Sequence, residues 1–309
     1  MLTKSLGLTS DNVTYDLEDS VTPAAKPQAR QALRTHFLTN LPSSKRPSTI
    51  RELGVRINAV STPFALDDLT TLAKLPQIDA IVIPKVNSAS DLTFVTDALR
   101  HLAPERHSSS SSSSTSPSSP SPIKLIALIE SARAIMNLSS ICAASPYLSG
   151  LIFAAEDFAL DMSLTRTPSL SEFLYARSAI ATAARAASLP STIDLVCTSY
   201  KGEEGLARLE EECRDGKAMG FNGKQCIHPS QVETVHHLFA PAEKEVEWAV
   251  RIAIADEKAA SAGRGAWTLD GAMIDAPVVG KAKAIVAKAE NCDINVEGFR
   301  NKWKDQEPE

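Results

Sequence analysis

No apolar run in this chain approaches the roughly 18 residues that a transmembrane helix requires. A helical membrane anchor is therefore not expected. Positive charge is not in excess either. The formal net charge is −5, which argues against a nucleic-acid partner or an anionic membrane surface. It leaves room for an anionic small ligand in a local pocket. The five cysteines (Cys142, Cys197, Cys213, Cys226 and Cys292) are odd in number, and no pair has CxxC spacing. That excludes the usual patterns of a disulfide framework or a zinc site and fits a reducing compartment. The opening residues also lack the composition of a leader. Asp11, Asp16, Glu18 and Asp19 all fall within the first twenty positions, which is wrong for a signal peptide or an acid-poor transit peptide. Cytoplasm and mitochondrion both stay open as locations.

What is present is enough chain, 309 residues at 43% hydrophobic and 22% charged, to bury a large core. Short apolar runs alternate with helical periods: Thr14–Leu17, Gly54–Asn58, Ala80–Pro84, Lys124–Ile129, Gly150–Ala155, Ile193–Cys197 and Lys224–His228. Each run is β-branched or apolar through its middle, as strands buried on both faces tend to be. Between two of them, Leu92, Val95, Leu99 and Leu102 keep helical spacing behind a Ser88/Asp91 capping pair. Alternating strand and helix means a parallel sheet. Seven strands point to an α/β fold of the (β/α)8 TIM-barrel kind, with a doubly wound sheet as runner-up. Residues 108–122 are only Ser, Pro and one Thr, a composition that cannot pack. They are expected to form a disordered surface insert. After Pro241 the texture changes to long helices around a Trp267–Gly271 turn. The expected division is a barrel over 1–240 and a helical extension with a lid over 241–309.

In such a barrel the carboxyl ends of the strands carry the chemistry. Here six runs end in polar groups: Asp16-Leu17-Glu18-Asp19, Arg56-Ile57-Asn58, Pro84-Lys85, Glu130-Ser131, Glu156-Asp157 and His228-Pro229. Unpaired carboxylates brought that close would repel and partly protonate, and a bound hard cation removes the difficulty. Oxygen ligands without a Cys or His cluster point to Mg2+ or Mn2+ rather than zinc. Each residue also has a plainer reading. Glu130 could be a first-turn acid at the next helix N-terminus, and Arg56 could simply pair with a neighbouring carboxylate. Asp275, before Ala276-Pro277, would make a good helix N-cap. Glu156 is expected on the opposite strand face from Asp157 and thus structural. His228 reads as a packed, hydrogen-bonded histidine and Cys226 as inert core. Lys85 is open between ion-pair partner and ligand contact.

These blocks carry a specific resemblance. Asp16-Leu17-Glu18-Asp19-Ser20-Val21, followed by Lys26 and Ala29-Arg30, resembles the DLED-x-V…K…AR segment of the citrate lyase β-subunit family. Arg56-Ile57-Asn58, Ile83-Pro84-Lys85-Val86 and Leu128-Ile129-Glu130-Ser131 resemble its R-x-N, PK and IES strands. Glu156-Asp157-Phe158 and Gly220 to Pro229 match two further blocks. Met273-Ile274-Asp275-Ala276-Pro277 is similar to the MIDMP lid motif of the citramalyl-CoA lyase and malyl-CoA lyase/thioesterase branch. The matches run in order from about Met1 to Ala284.

The resemblance implies Glu130 and Asp157 as Mg2+ ligands, Glu130 also at the substrate. It implies Arg56 as a catalytic and substrate-binding residue, on the substrate carboxylate or keto-acid fragment. Asp275 is implied as a catalytic acid/base, brought by the lid of a neighbouring subunit in a homotrimer. The implied reaction cleaves or forms a short 3-hydroxyacyl-CoA, such as citramalyl-CoA or malyl-CoA, with acetyl-CoA and a 2-keto acid as the other side. Malyl-CoA thioester hydrolysis or a malate synthase-like activity, and a truncated, non-catalytic relative, are the alternatives. Two departures stand out. Phe153-Ala154-Ala155 replaces the family's Gly-Ala before Glu156, and the extra methyl at Ala154 would crowd the backbone near a metal. The family's opening L-Y/F-V-P-G strand has no counterpart before Met1-Leu2-Thr3-Lys4. The barrel is therefore expected to lack its first strand. Unpaired edges would then flank a gap that opens an apolar core to water, leaving the chain marginally stable.

Overall fold

The strands are short because their apolar, β-branched stretches are short, and every one is parallel to the next. The structure, a computed structural model, describes residues 2, 4–41, 46–107 and 121–309. Most of the Ser/Pro insert, 108–120, lies outside the described residues. One seven-stranded sheet holds β1 (Asn12–Asp16), β2 (Glu52–Arg56), β3 (Ala80–Ile83), β4 (Lys124–Ile129), β5 (Leu148–Phe153), β6 (Ser191–Asp194) and β7 (Gly223–Lys224), in that spatial order. The order never reverses, so there is no switch point of the kind a doubly wound sheet requires. The runner-up architecture is set aside in favour of a singly wound parallel sheet.

Parallel neighbours need crossovers, and helices supply them. They are α1 (Lys26–Asn40), α2 (Ala65–Leu72), α3 (Ala89–Leu102), α4 (Pro104–His107), α5 (Ala132–Met136), α6 (Leu138–Cys142), α7 (Ala155–Met162), α8 (Leu174–Ala186) and α9 (Gly202–Ala218). The capping pair of α3 forms: the Ser88 backbone N–H donates to Asp91 Oδ2 at 2.9 Å. The middle of the sheet is buried on both faces, and β3 has no exposed residue. One face carries Ala80, Val82, Ile126 and Leu128, with Ile152 and Ala154 packed against them. The other presents Ile81, Ile83, Leu125, Ala127, Ile129, Leu151 and Phe153, all fully buried.

Among the described residues, β1 and β7 each have a single ladder partner. The sheet is open between them, as the sequence predicts, but the expected apolar wound is not found at β1. The β1 residues on the far side from α1 are Asn12, Thr14 and Asp16. The Asn12 amide donates to Glu52 Oε2 at 2.7 Å, and the Thr14 hydroxyl donates to Asn12 Oδ1 at 2.7 Å. Period-2 alternation sends only Val13 and Tyr15 into the core. There Tyr15 meets the Phe37 ring edge-on at 5.3 Å. What faces water beside β1 is already polar.

The chain divides into two compact units, Met1–Val235 and His236–Glu309, with the boundary inside α10 (Val232–Phe239). The second unit has its own core. It contains α11 (Glu243–Ser261), a hairpin of β8 (Trp267–Leu269) and β9 (Ala272–Ile274), α12 (Ala276–Asn291) and α13 (Val296–Lys302). The hairpin turn is Asp270-Gly271, both at positive φ (50° and 78°). This is the conformation for which Asp-Gly is favoured in two-residue hairpins.

Candidate active site at the carboxyl ends of the strands

β1 and β2 are in register with Asp16 opposite Arg56, so the last residues of two strands form an ion pair. Arg56 Nε and Nη2 donate to the two oxygens of Asp16, each at 2.7 Å. Burial alone would raise the Asp16 pKa, but hydrogen bonds from Arg56 and from the Glu18 backbone prevail and hold it at about 2. The remaining edge of Arg56, Nη1, lies 3.0 Å from Glu18 and 3.5 Å from Asp19. The geometry thus realises the plainer reading of Arg56 on all three of its nitrogens. A ligand would have to share or displace Glu18 and Asp19 at Nη1.

The end of β3 turns sharply. Lys85 sits at φ 52°, a left-handed conformation that costs a non-glycine residue about 1 kcal/mol or more. The turn aims its backbone N–H at Glu130 Oε1, 2.6 Å away, while its ammonium reaches Glu18 Oε1, also at 2.6 Å. Lys85 therefore takes the ion-pair role, with Glu18, and its backbone N–H also orients Glu130. Glu18 is itself buried. Burial and the neighbouring Asp19 raise its pKa against the pull of Lys85 and Arg56.

Glu130 follows β4 directly and is only 5% exposed. Among the described residues its carboxylate accepts one hydrogen bond, from Lys85. Burial pushes its pKa up to about 7; the Lys85 bond opposes the rise, and the charges of Asp157 and Glu18 add to it. Asp157 comes from the helical turn that follows the next strand along. Ile129 of β4 pairs with Phe153 of β5, and the Ala154 N–H continues the ladder to the Ile129 carbonyl at 3.1 Å. The chain then enters α7 at Ala155, so Glu156 and Asp157 lie in a helical first turn. This corrects the expectation that Glu156 points to the opposite face of a strand. Successive residues in a helix are about 100° apart rather than opposed. Glu156 instead turns to Arg166.

The donor set fits a hard divalent cation. Two carboxylates, one just after β4 and one in the helical turn after β5, are near enough to interact electrostatically; the first is buried with its charge only partly offset by Lys85, and neither a thiol nor an imidazole belongs to the set. Among the described residues no group of three or more His, Cys, Asp or Glu is arranged to hold a metal. The protein would therefore supply one or two carboxylates and leave the remaining positions to water and substrate, as is usual for Mg2+.

Asp275 belongs to the second unit. Its side chain caps α12, accepting from the Val278 N–H at 3.2 Å, which is its plainer reading in full. His228 likewise caps a 3-10 turn. It accepts from the Ser230 N–H at 3.3 Å and stacks on Tyr200 at 4.9 Å. Cys226 lies beyond the short β7, and burial pushes its thiol up to about 11. The sequence reading gave no role to the Lys85 backbone or to Arg166. The Lys85 turn had no sequence signal, since a lysine does not announce positive φ. Arg166 could have been found only by seeing which carboxylates the fold brings to it.

The first 229 residues match the family model described as HpcH/HpaI aldolase/citrate lyase. Residues 172–292 match one described as a C–C bond lyase of the TIM-barrel fold. The chain is 35% identical to the citrate lyase subunit beta of Haemophilus influenzae, over 94% of this chain and 93% of that one. It is 33% identical to the (3S)-malyl-CoA thioesterase of Cereibacter sphaeroides, over 94% and 90%. It is 30% identical to the human mitochondrial citramalyl-CoA lyase, over 91% and 79%. A solved structure of protein CitE from Mycobacterium tuberculosis, in complex with magnesium, acetoacetate and coenzyme A, matches at TM-score 0.67 and 30% identity. That match covers 93% of this chain and 92% of that one.

Proposed function

This chain belongs to the HpcH/HpaI aldolase/citrate lyase family, and from that premise we propose that it is a Mg2+-dependent carbon–carbon lyase. Its substrate would be a short 3-hydroxyacyl-CoA such as citramalyl-CoA or malyl-CoA, cleaved to, or formed from, acetyl-CoA and a 2-keto acid. The observation that carries this reading is Glu130. Among the described residues this buried carboxylate, beside Asp157 and with its pKa at about 7, forms no ion pair, and the Lys85 charge and backbone N–H offset its burial and its acidic neighbours only in part. Mg2+, when bound by Glu130 and Asp157, would supply Lewis-acid polarisation and a template for the keto acid. The Lys85 N–H would keep Glu130 aimed at that site. Arg56, held rigid on Asp16 through Nε and Nη2, would meet the substrate carboxylate through Nη1 by displacing Glu18 and Asp19 there. An acid/base group must protonate the enolate carbon of acetyl-CoA in cleavage, or remove that proton in synthesis. Asp275 is assigned that role, supplied by the 241–309 extension of a second copy in a homotrimer. The parallel sheet is read as most of a (β/α)8 barrel, which places these groups at its catalytic face.

A second reading, thioester hydrolysis, is favoured by the similarity to a malyl-CoA thioesterase. One assay separates the two. With malyl-CoA or citramalyl-CoA as substrate, a lyase releases glyoxylate or pyruvate without free thiol. A thioesterase releases free CoA thiol without keto acid. Either activity should vanish with EDTA and return with Mg2+. Turnover undiminished by EDTA would refute the metal role. Neither product, from a chain shown to be folded, would refute the enzyme.

A further inference from the structure

We propose that Arg166 is a positioning residue for the Glu130/Asp157 cation site, acting through Glu156 on the helical turn that carries Asp157. The inference rests on the cation-site reading above and deepens it. The first turn of α7 has no side-chain cap: its N-cap is Ala154, which offers none. Uncapped helix starts leave their backbone donors free and are prone to fray. A cation ligand in such a turn needs another restraint.

Arg166 supplies it. The helix stops at Ser163, in the left-handed conformation, and the chain doubles back so that Arg166 Nη1 grips Glu156. The other terminal nitrogen, Nη2, donates to the Val196 carbonyl at 3.0 Å and to Glu212 Oε1 at 2.9 Å. Val196 follows β6, and Glu212 is a buried residue of α9. Glu212 Oε2 in turn lies 3.0 Å from the ammonium of Lys224, whose side chain is fully buried at the end of β7. Charges therefore alternate along a line from α7 past β6 to β7: Glu156, Arg166, Glu212, Lys224. The two inner members are largely enclosed, so the line is anchored where solvent cannot loosen it. A guanidinium can hold three acceptors in one plane, which an ammonium on a flexible stem cannot. The far end of α7 is tied separately. Asp161 accepts from the Ala132 N–H at 2.8 Å, two residues beyond Glu130. Arg166 thus governs the start of the helix, and Asp161 its distance from the Glu130 turn.

The test measures Mn2+ binding, by titrating the electron paramagnetic resonance signal of the free ion, to the full chain and to Arg166→Gln, Glu156→Gln and the double variant. Thermal melts run in parallel. Partners that orient a metal ligand from outside its coordination shell typically change affinity about 10- to 100-fold when removed. Each single variant should weaken Mn2+ binding about ten-fold on that basis, and the double variant should be no weaker than either single one. Should Arg166→Gln fail to fold, Glu156→Gln, which removes a half-exposed carboxylate, decides alone. Unchanged Mn2+ affinity in a folded Glu156→Gln protein overturns the inference and leaves the cation site standing. So does a lower melting temperature with unchanged affinity in Arg166→Gln. No Mn2+ binding by the unaltered chain overturns the cation site itself, and the inference with it.

Discussion

At the end of β6, Arg177 and Asp194 meet with nothing left over; at the end of β4, Glu130 meets almost nothing. Arg177 donates Nε and Nη2 to the two oxygens of Asp194 at 3.0 and 2.7 Å, and Nη1 to Asp215. Both side chains of the inner pair are out of solvent, at 2% and 0% exposure. Glu130, nearly as buried, has among the described residues one backbone N–H for a hydrogen-bond partner, two neighbouring carboxylates and only the charge of Lys85 against them. Burying a charge is costly unless it is paired. The first cluster meets that requirement within the protein and is structural. The second meets it only in part, through Lys85, and that difference is what supports the proposed cation site there.

The comparison can be broken at its structural end first. Asp194→Ala leaves Arg177 charged, buried and without its two-point partner. It should cost about 3–5 kcal/mol, read as a lower midpoint in urea denaturation. A loss comparable to that of a surface substitution would show that Asp215 alone suffices.

At the other end the signs reverse. Glu130→Gln should abolish Mg2+-dependent turnover and yet leave the metal-free protein at least as stable. The fold raises the Glu130 pKa from its ordinary 4.5 to about 7, so the folded state holds this proton more tightly than the unfolded one. That contribution is fully present below about pH 4.5 and is lost as pH climbs through about 7. Melts of the metal-free protein should fall across that window, and Glu130→Gln should remove the part of the fall that Glu130 causes. Near-normal turnover in the variant would return Glu130 to the structural class.

A finer cut lies between them. Arg56 is paired, like Arg177, but its Nη1 partners, Glu18 and Asp19, are ones that a ligand carboxylate would displace. Arg56→Lys retains the charge and loses the planar fork. It should impair turnover about 10- to 100-fold while changing stability little, since the pair with Asp16 is partly solvent-exposed. A lysine variant that turns over like the parent would make Arg56 a generic positive charge.

The smallest effect is expected at the opposite end of β4. There the chain on both sides of the insert is held: the Ile123 N–H donates to His107 Nε2 at 3.3 Å, and Arg106 Nε donates to the Ser121 carbonyl at 2.7 Å. Because the insert joins β4 at its amino end, deleting residues 108–120 should leave the Michaelis constant and turnover number nearly unchanged. A large loss of turnover in a folded deletion variant would mean that these residues reach the catalytic face.

Much of this was legible in the residues. β4 runs Lys124–Ile129 as its apolar run indicates, and the Ser88/Asp91 cap was readable from spacing alone. The strand ends were less legible. β7 is two residues long although its apolar-looking run continues to His228, because Gln231 turns back to accept from the Ile227 and His228 backbones. β5 likewise ends before Glu156, because two carboxylates in a row suit a helix N-terminus better than a strand.

By itself the sequence determined the order of strands and helices, the parallel sheet they imply, and the family; Glu130 and Asp157 became candidate ligands through that family resemblance. The elements follow from periodicity, and the family from motifs that lie within a few residues of one another. Only the tertiary structure decided which charges are matched. It put Arg56 on Asp16 across a strand register, curled Lys85 into positive φ so that its N–H faces Glu130, and brought Arg166 back to Glu156 and across to Glu212. Each of these pairings joins segments whose separation along the chain carries no periodic signal. The energy of a buried charge depends on its distance to the nearest opposite one, and composition does not contain that distance.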